Sequence, residues 1–500
     1  MTLARHPGTS WRAHAVAASS LAAAATLALA TPALAISGPL AIVHARVIDG
    51  TGAPPSENVT ILIDGDRIAR IGHELDTGSR AVIDASGLTL LPGLIDSHVH
   101  LDSVPGSMIR HDSPEAYQRL RSDELPAYVA AGVTTVLDAG APKDLLAWAR
   151  MQVEQTGAGP DVLMLAPFLT PLGGYFGDAK QRGDTFGNLW EPIDGPERLI
   201  HELDAVRGAP GVVGVKVTIE RGFGPIDVWP IFDAAMRGRI RDETAARQMP
   251  VFVHSMSDEE HQRALELSPK VMVHSGYPDG SPSAETLRRM KAQGVTVMST
   301  LTVYDLLLVR YERARLDDPL VVKLTPKVER DTANDDAAWD TVTRGVVDLS
   351  SPSWIPDFVR PLAGRFLFGE RAFHSQVDHA LRALSAIHDA GIPIALGTDS
   401  GCWPLLTSMF HGPSTIRELE LLVRAGLSPM EAIVAATSVP AHMLGIDRET
   451  GTVSEGKRAN LVLVKGDPLA DISAMRHVTW SIKAGVAHTP DEWLAFGKSF

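Results

Sequence analysis

At 500 residues the chain is too long for one small domain and fits a large barrel with an accessory domain. A hydrophobic content of 45% and a mean hydropathy near zero are those of an ordinary globular protein. The net charge of −14, without a basic stripe, argues against a nucleic-acid partner, and the single cysteine, Cys402, excludes an internal disulfide and a thiolate metal cage.

Residues 1–35 read as a cleaved export signal: Arg5 and Arg12 open a basic region, residues 15–30 are rich in Ala and Leu, and Ala33-Leu34-Ala35 has a small-x-small cleavage form. The apolar core is short and weakly apolar, so a stable membrane anchor is not expected, and no lipid-accepting cysteine follows. The product is expected to be periplasmic or secreted, with cleavage near Ala35.

Residues 36–90 hold short alternating, β-branched runs at 41–48, 59–63, 67–71 and 81–83, separated by Asp-Gly, Thr-Gly and Ser-Gly turns. From residue 91 the texture changes to apolar runs alternating with amphipathic segments. The runs lie at 91–101, 132–138, 161–166, 212–219, 251–254, 271–274, 295–299 and 392–399. Eight such units predict a (β/α)8 TIM barrel over 91–450, an α/β fold with parallel strands covered by helices. Insertions at 167–211 and 301–380 interrupt the spacing. The second contains polar helical stretches at 304–315, 334–347 and 354–363, and loops of this length serve as lids or substrate-binding elements. Helices are expected near 414–425 and 429–436. Strands then return at 451–453, 459–464 and 479–484, so residues 451–500 should join 36–90 in a small β-sandwich built from both chain ends.

The stretch Leu91-Pro92-Gly93-Leu94-Ile95-Asp96-Ser97-His98-Val99-His100 anchors the functional reading. Strand positions i and i+2 share a face, so His98 and His100 aim at one point, as two ligands of one divalent metal would. In a barrel the working groups sit at the strands' C-terminal ends. There the sequence places His98 and His100 on the first strand, Lys216 in the fourth, His254 on the fifth, His274 on the sixth and Asp399 on the eighth. A histidine ending a strand is singly more often a hydrogen-bonded structural residue, but six such groups over five strands point to a metal centre. Lys216 sits inside an apolar run, where an ammonium is costly to bury unless it snorkels or pairs with a carboxylate. Burial would instead favour the neutral amine, which can capture carbon dioxide and bridge two metals as an N6-carboxylated lysine.

This constellation resembles the amidohydrolase superfamily over essentially the whole mature chain. Leu91 to His100 is similar to its first-strand signature, and Gly451-Thr452-Val453 through Ile472 to its return into the sandwich. The stretch His411-Gly412-Pro413-Ser414-Thr415-Ile416-Arg417-Glu418-Leu419, continuing to Ser438, resembles the imidazolonepropionase-like and prolidase-like branch. The resemblance implies one metal on His98, His100 and Asp399 and a second on His254 and His274, bridged by carboxylated Lys216. Zinc is the default for such ligands.

Two divalent ions would activate water and polarise a carbonyl, with Asp399 moving the proton to the leaving nitrogen. The expected reaction is hydrolysis of an amide or peptide-like C–N bond in a small dipeptide or N-acyl compound. Three other readings stay open: a mononuclear deaminase or imidazolone-type hydrolase, a lactone or phosphoester hydrolase, and an inactive binding protein. The resembling deaminases carry Glu three residues after the fifth-strand histidine, where this chain has Ser257. Cys402, beside Asp399, reads as a packed loop residue rather than a nucleophile. Tyr175, Arg221, Tyr304 and His411 follow strand ends and are candidate substrate contacts, though loop packing is the commoner role for each. A homo-oligomer is compatible with the sequence.

Overall fold

The computed structural model describes residues 36–140, 145–175, 191–222, 228–276, 280–351, 355–356, 358–359, 369–403 and 405–497. The expected export segment lies outside them, as does most of the 354–363 stretch.

Five strands open the chain: β1 (Leu40–Val47), β2 (Ser56–Asp64), β3 (Arg67–Gly72), β4 (Ala81–Asp84) and β5 (Leu88–Pro92). β2 pairs antiparallel with β1 and with β3 across the expected Asp64-Gly65 turn. On its other edge β1 pairs in parallel with β4 and then, further along, with β5. The sheet is completed from the far end of the chain by β15 (Leu461–Lys465), β16 (Val478–Lys483) and β17 (Val486–His488), in the order β17-β16-β15-β5-β1-β2-β3. Alternating side chains from both ends, among them Leu40, Ile42, Ile61, Ile63, Leu90, Leu461, Leu463 and Ile482, share one buried cluster. Residues 451–453, expected as a strand, form none.

Between these ends lie β6 (Leu94–Val99), β7 (Val133–Asp138), β8 (Asp161–Pro171), β9 (Glu191–Ile193), β10 (Val212–Thr218), β11 (Val251–His254), β12 (Val271–Val273), β13 (Thr296–Met298) and β14 (Ile394–Ala395). The order β6-β7-β8-β10-β11-β12-β13-β14 is parallel throughout, with β9 a short addition beside β8. The segment after β14 returns to β6. Ser97 N donates to Leu396 O, Asp399 N to His98 O and His100 N to Ser400 O. This closure makes the expected eight-stranded TIM barrel, an α/β fold carried beside a β domain from both chain ends. Helices follow the strands in turn, including Pro196–Val206 within the stretch read from sequence as loop material. The first residues of that stretch also extend β8 rather than leaving the barrel.

The insertion after β13 packs its own apolar faces. Leu306, Val309, Leu316, Trp339 and Val342 cluster with Leu405, Leu406, Met409 and Phe410, so it rests on the loop that follows Asp399.

Two glycines set the geometry near the first strand. Leu91 and Pro92 pair with β15, not with the barrel, so the handover falls at Gly93, whose N–H donates to Asn460 O. A Cβ at 93 would lie 2.2 Å from Thr134 Oγ1 and 2.4 Å from its Cγ2. A Cβ at Gly397 would lie 2.7 Å from His98 Cβ, so the eighth strand closes on the first only with glycine there. Gly93→Ala should therefore destabilise the protein by about 1–3 kcal/mol, seen as a lower melting temperature. Adding Thr134→Ala, which removes the two nearest atoms, should recover part of the loss.

Candidate metal centre

The barrel brings all six sequence-derived groups to one rim. His98 ends β6 with His100 one residue beyond the strand, Lys216 is in β10, His254 ends β11, His274 follows β12 and Asp399 follows β14. Lys216 is 2% exposed, His274 4% and His254 5%, while His98 is fully buried.

Asp399 Oδ1 lies 3.1 Å from both His98 Nε2 and His100 Nε2. Ligand atoms of these three residues all lie within 4.8 Å of one another. Lys216 Nζ is 3.2 Å from His98 Nε2 and 4.8 Å from the Phe168 ring centroid. On the facing side His254 Nδ1 and His274 Nε2 are 2.9 Å apart.

The outer partners fix what the inner nitrogens can do. His100 Nδ1 is 3.2 Å from Gly140 O, a carbonyl that can only accept, so Nδ1 carries a proton, and whenever the ring is neutral Nε2 turns a lone pair toward Asp399. Glu220 meets His254 Nε2, and Thr300 Oγ1 lies 2.7 Å from His274 Nδ1. With these oxygens accepting, Nδ1 of His254 and Nε2 of His274 present lone pairs to each other. Lone pairs facing a carboxylate and facing one another repel unless a proton or a cation lies among them. His98 Nδ1 is a buried nitrogen without a hydrogen-bond partner among the described residues. A donor set of four imidazoles, three of them backed by an outer oxygen, and one carboxylate suits a divalent transition metal.

Electrostatics agree with this. Burial lowers His98 and His254 to about 3, with Lys216 adding to both shifts, and holds His274 well below the usual range. For His100, burial is outweighed by Asp399 and the value rises. Burial would raise Asp399, but His98 and His100 keep it well below the carboxylate range. Burial lowers Lys216 to about 8, against the pull of Asp399 and Asp138. Neutral rings at His98, His254 and His274, an ionised aspartate and a readily deprotonated amine are the forms that ligation requires, whereas the rise at His100 favours its protonated ring beside Asp399.

Backbone conformation is tuned at the same places. His274, Thr300 and Asp399 adopt positive φ of 73°, 47° and 60°, a left-handed geometry that costs energy outside glycine and concentrates at functional sites. Two buried carboxylates hold the turns. Asp96 accepts from Thr398 N, Thr398 Oγ1 and Thr415 Oγ1 at 2.7–3.1 Å. Glu418 accepts from Ser299 Oγ, Leu301 N and Thr302 N at 2.5–2.9 Å, bracketing Thr300.

The four weaker candidates divide. Tyr175 lies beside the centre, its ring centroid 4.7 Å from that of His254. Tyr304 places its hydroxyl 4.0 Å from Met256 Sδ, over Gly276. Arg221 donates its N–H to Glu260 and directs its guanidinium to within 4.0 Å of Glu259. His411 is buried, with Nδ1 2.8 Å from Tyr128 Oη and Nε2 3.1 Å from Ser103 O, so it packs the loop and does not line the cleft. Ser257 caps the helix Asp258–Ala264 in a capping box with Glu260.

Sequence reasoning passed over Asp96, Asp138, Glu220, Thr300 and Glu418. Asp138 accepts from Leu101 N and Gly140 N, fixing the carbonyl that meets His100. Asp96 shares the i, i+2 face of His98 and His100, and Asp138 ends its strand, so both carried a signal. Glu220, Thr300 and Glu418 gave none that spacing could read.

An eight-stranded barrel with four histidines, a lysine and an aspartate on its C-terminal rim defines the class. The sequence profile of the amidohydrolase family matches residues 89–486, and the chain belongs to that family. A dihydroorotase of Streptococcus thermophilus is 35% identical over 98 residues, 20% of this chain and 21% of the relative. An N-acyl-D-aspartate deacylase of Alcaligenes xylosoxydans xylosoxydans is 34% identical over 114 residues, 23% of this chain and 20% of the relative. The chain thus aligns with about a fifth of the length of these curated relatives. A solved Xaa-Pro dipeptidase with bound methionine shares the fold at a TM-score of 0.68 and 22% identity, over 90% of this chain and 100% of that one.

Thr300→Val should lower zinc affinity roughly 10–100-fold by removing the partner of His274, measured by competition with a chromophoric chelator. Unchanged affinity would separate Thr300 from the centre.

Proposed function

We propose that this protein is an exported, metal-dependent amidohydrolase that cleaves an amide or peptide-like C–N bond in a small dipeptide or N-acyl compound. The observation that carries it is the convergence of His98, His100, Lys216, His254, His274 and Asp399, with outer oxygens positioned to set the tautomers of His100, His254 and His274. The relatives named for amide chemistry, a deacylase and a dipeptidase, support the substrate class. The Ala/Leu-rich segment before Ala35 supports export to the periplasm or medium.

His98, His100 and Asp399 would hold one ion, zinc by preference, and His254 and His274 a second. Lys216, as its N6-carboxylate, would lie between them. Bound divalent ions supply an acidified water and polarise the substrate carbonyl. Asp399 accepts the proton released as water attacks and delivers it to the departing nitrogen. Gly140 O would hold a proton on the outer nitrogen of His100, and Glu220, once ionised, would do the same for His254, so that each neutral ring offers its inward nitrogen. Burial of Lys216 favours the neutral amine that adds to carbon dioxide, with loss of one proton, to give the carbamate. Ser257, occupied as a helix cap, offers no acid where the resembling deaminases carry Glu, which favours the binuclear reading over a mononuclear deaminase.

Metal analysis of the purified protein should give two ions per chain, and intact mass under non-acidic conditions should exceed the sequence mass by one carbon dioxide. Lys216→Met should lose that increment and at least one ion. One ion with no added mass would move the assignment to the mononuclear reading. Asp399→Asn should lose roughly three or more orders of magnitude in kcat, a loss of the size seen when a catalytic constellation is broken, while its melting temperature stays within a few degrees. Wild-type turnover in that variant would remove Asp399 from the chemistry. Dipeptides, N-acyl amino acids and lactones assayed together decide the bond type.

A further inference from the structure

We propose that the cavity between the insertion after β13 and the helix Pro413–Arg424 is a second ligand site, shaped for a small uncharged molecule with an apolar body, whose occupancy tightens metal binding at the barrel rim. The site itself stands apart from the amide-hydrolase reading above; its coupling to the rim rests on the metal ligands proposed there.

The cavity measures about 260 Å³ and lies among residues 305–321, 410–417 and Arg476. Its apolar wall comes from Val309, Leu316, Leu320, Val321 and Phe410; Leu320 and Val321 are half-buried and the others buried. Drug-sized molecules occupy sites of roughly 300–1,000 Å³, so this space suits a single ring or a short branched chain.

Charge along the polar wall is already matched. Arg417 holds Asp305 with two bonds of 2.8 Å, from Nε and Nη2, and Arg315 Nη1 meets the same carboxylate at 2.8 Å. Arg476 pairs with Asp318 and Glu420, Glu420 also lies 3.2 Å from Arg417, and Arg315 reaches Glu312 as well. Three guanidiniums thus face four carboxylates. Burial would raise Asp305, but Arg417 and Arg315 hold it below the usual carboxylate range, so the pairs stay ionised. An entering carboxylate would have to displace one of these partners, and an entering ammonium would be brought beside guanidiniums. An uncharged molecule does neither and gains from covering its apolar surface. A guanidinium has five N–H groups and Arg417 spends three on carboxylate oxygens, which leaves donors for one hydroxyl or carbonyl oxygen.

The walls of the cavity are also the struts of the metal centre. Asp305 ends the short helix Thr302–Asp305. At its other end Thr302 Oγ1 donates to Thr398 O, next to Asp399, and Thr302 N donates to Glu418 Oε2, each at 2.7 Å. Arg417 and Glu418 are neighbours on the facing helix. The first grips Asp305 at the cavity; the second accepts from Ser299 Oγ and Leu301 N, on either side of the Thr300 hydroxyl that meets His274. A molecule packed between Phe410 and Val321 would hold the two helices in this register, and better-held outer partners bind metal more tightly. Coupling between two sites is reciprocal, so bound metal would tighten the ligand by the same factor.

The test uses the full metal-loaded protein with benzyl alcohol, benzoate and benzylamine, which carry one ring and no charge, a negative charge or a positive one. Calorimetry measures the binding of each, and the part lost in Val321→Trp, which fills the cavity, is binding at this site. Benzyl alcohol should bind there one to one and roughly tenfold or more tightly than either charged compound, because burying an unmatched charge costs at least that much. Saturating benzyl alcohol should raise zinc affinity roughly fivefold or more, the lower end of allosteric coupling, measured by competition with a chromophoric chelator. Melting curves identify an unfolded Val321→Trp. In that case a crystal soaked in para-bromobenzyl alcohol locates the ring by bromine anomalous scattering, expected between Val321 and Arg417. No binding of benzyl alcohol, equal or tighter binding of benzoate or benzylamine, binding that survives a folded Val321→Trp, bromine at the metal centre alone, or an unchanged or lowered zinc affinity would overturn the proposal. Tighter zinc binding in a protein that hydrolyses no amide leaves this site standing while the amide-hydrolase reading falls. Amide hydrolysis with no effect of benzyl alcohol on zinc gives the opposite result.

Discussion

The seam between the first and last barrel strands is the constraint on which the site depends. Asp96 and Thr398 are 302 residues apart in sequence, yet the carboxylate accepts from the Thr398 N–H and hydroxyl. Backbone bonds from Asp399 N to His98 O and from His100 N to Ser400 O continue the seam. Gly397 lets the two strands approach to a distance that a Cβ would forbid. Without this closure His98, His100 and Asp399 would be strand ends on opposite edges of an open sheet.

The same seam explains why backbone strain is tolerated. Positive φ at Thr300 and Asp399 persists because buried acceptors hold the turns from behind, Glu418 at Thr300 and Asp96 at Asp399. Both carboxylates are themselves buried and pushed up to about 7 by desolvation, against hydrogen bonds that favour the charged form. Polar groups enclosed in this way are expensive unless each is bonded, and here the bonds run toward the turns at Thr300 and Asp399. Folding energy and site geometry are therefore carried by the same contacts.

The β domain has a different relation to the centre. Its strands come from both chain ends, and β5 passes the chain into β6 through Gly93 with no intervening loop. The strand that carries His98 thus begins anchored in a second sheet. The insertion after β13 settles on residues 405–410 through an apolar cluster of its own, so the turn beyond Asp399 is covered from outside.

Much of this was legible before any coordinates. Hydrophobic runs of strand length gave the eight parallel strands, and period-two alternation gave the end strands, because burial on two faces or on one leaves different patterns in sequence. The rule that barrels work at their strand C-termini made His98, His100, Lys216, His254, His274 and Asp399 candidates, and the barrel brings these six side chains to one rim. The stretch around 451–453 misled, because turn residues beside an apolar run resemble a strand end. Side-chain direction was beyond reach: His411 was a candidate substrate contact with loop packing as its commoner role, and the structure holds it between Tyr128 and Ser103. The sequence by itself determined the fold class and the chemical type of the side chains gathered at the rim, since both follow from local periodicity and residue identity. Only the tertiary structure decided which oxygens set the imidazole tautomers and which ring flanks the centre. Glu220 and Thr300 act through distances between strands and loops far apart in sequence, and no local pattern encodes such distances.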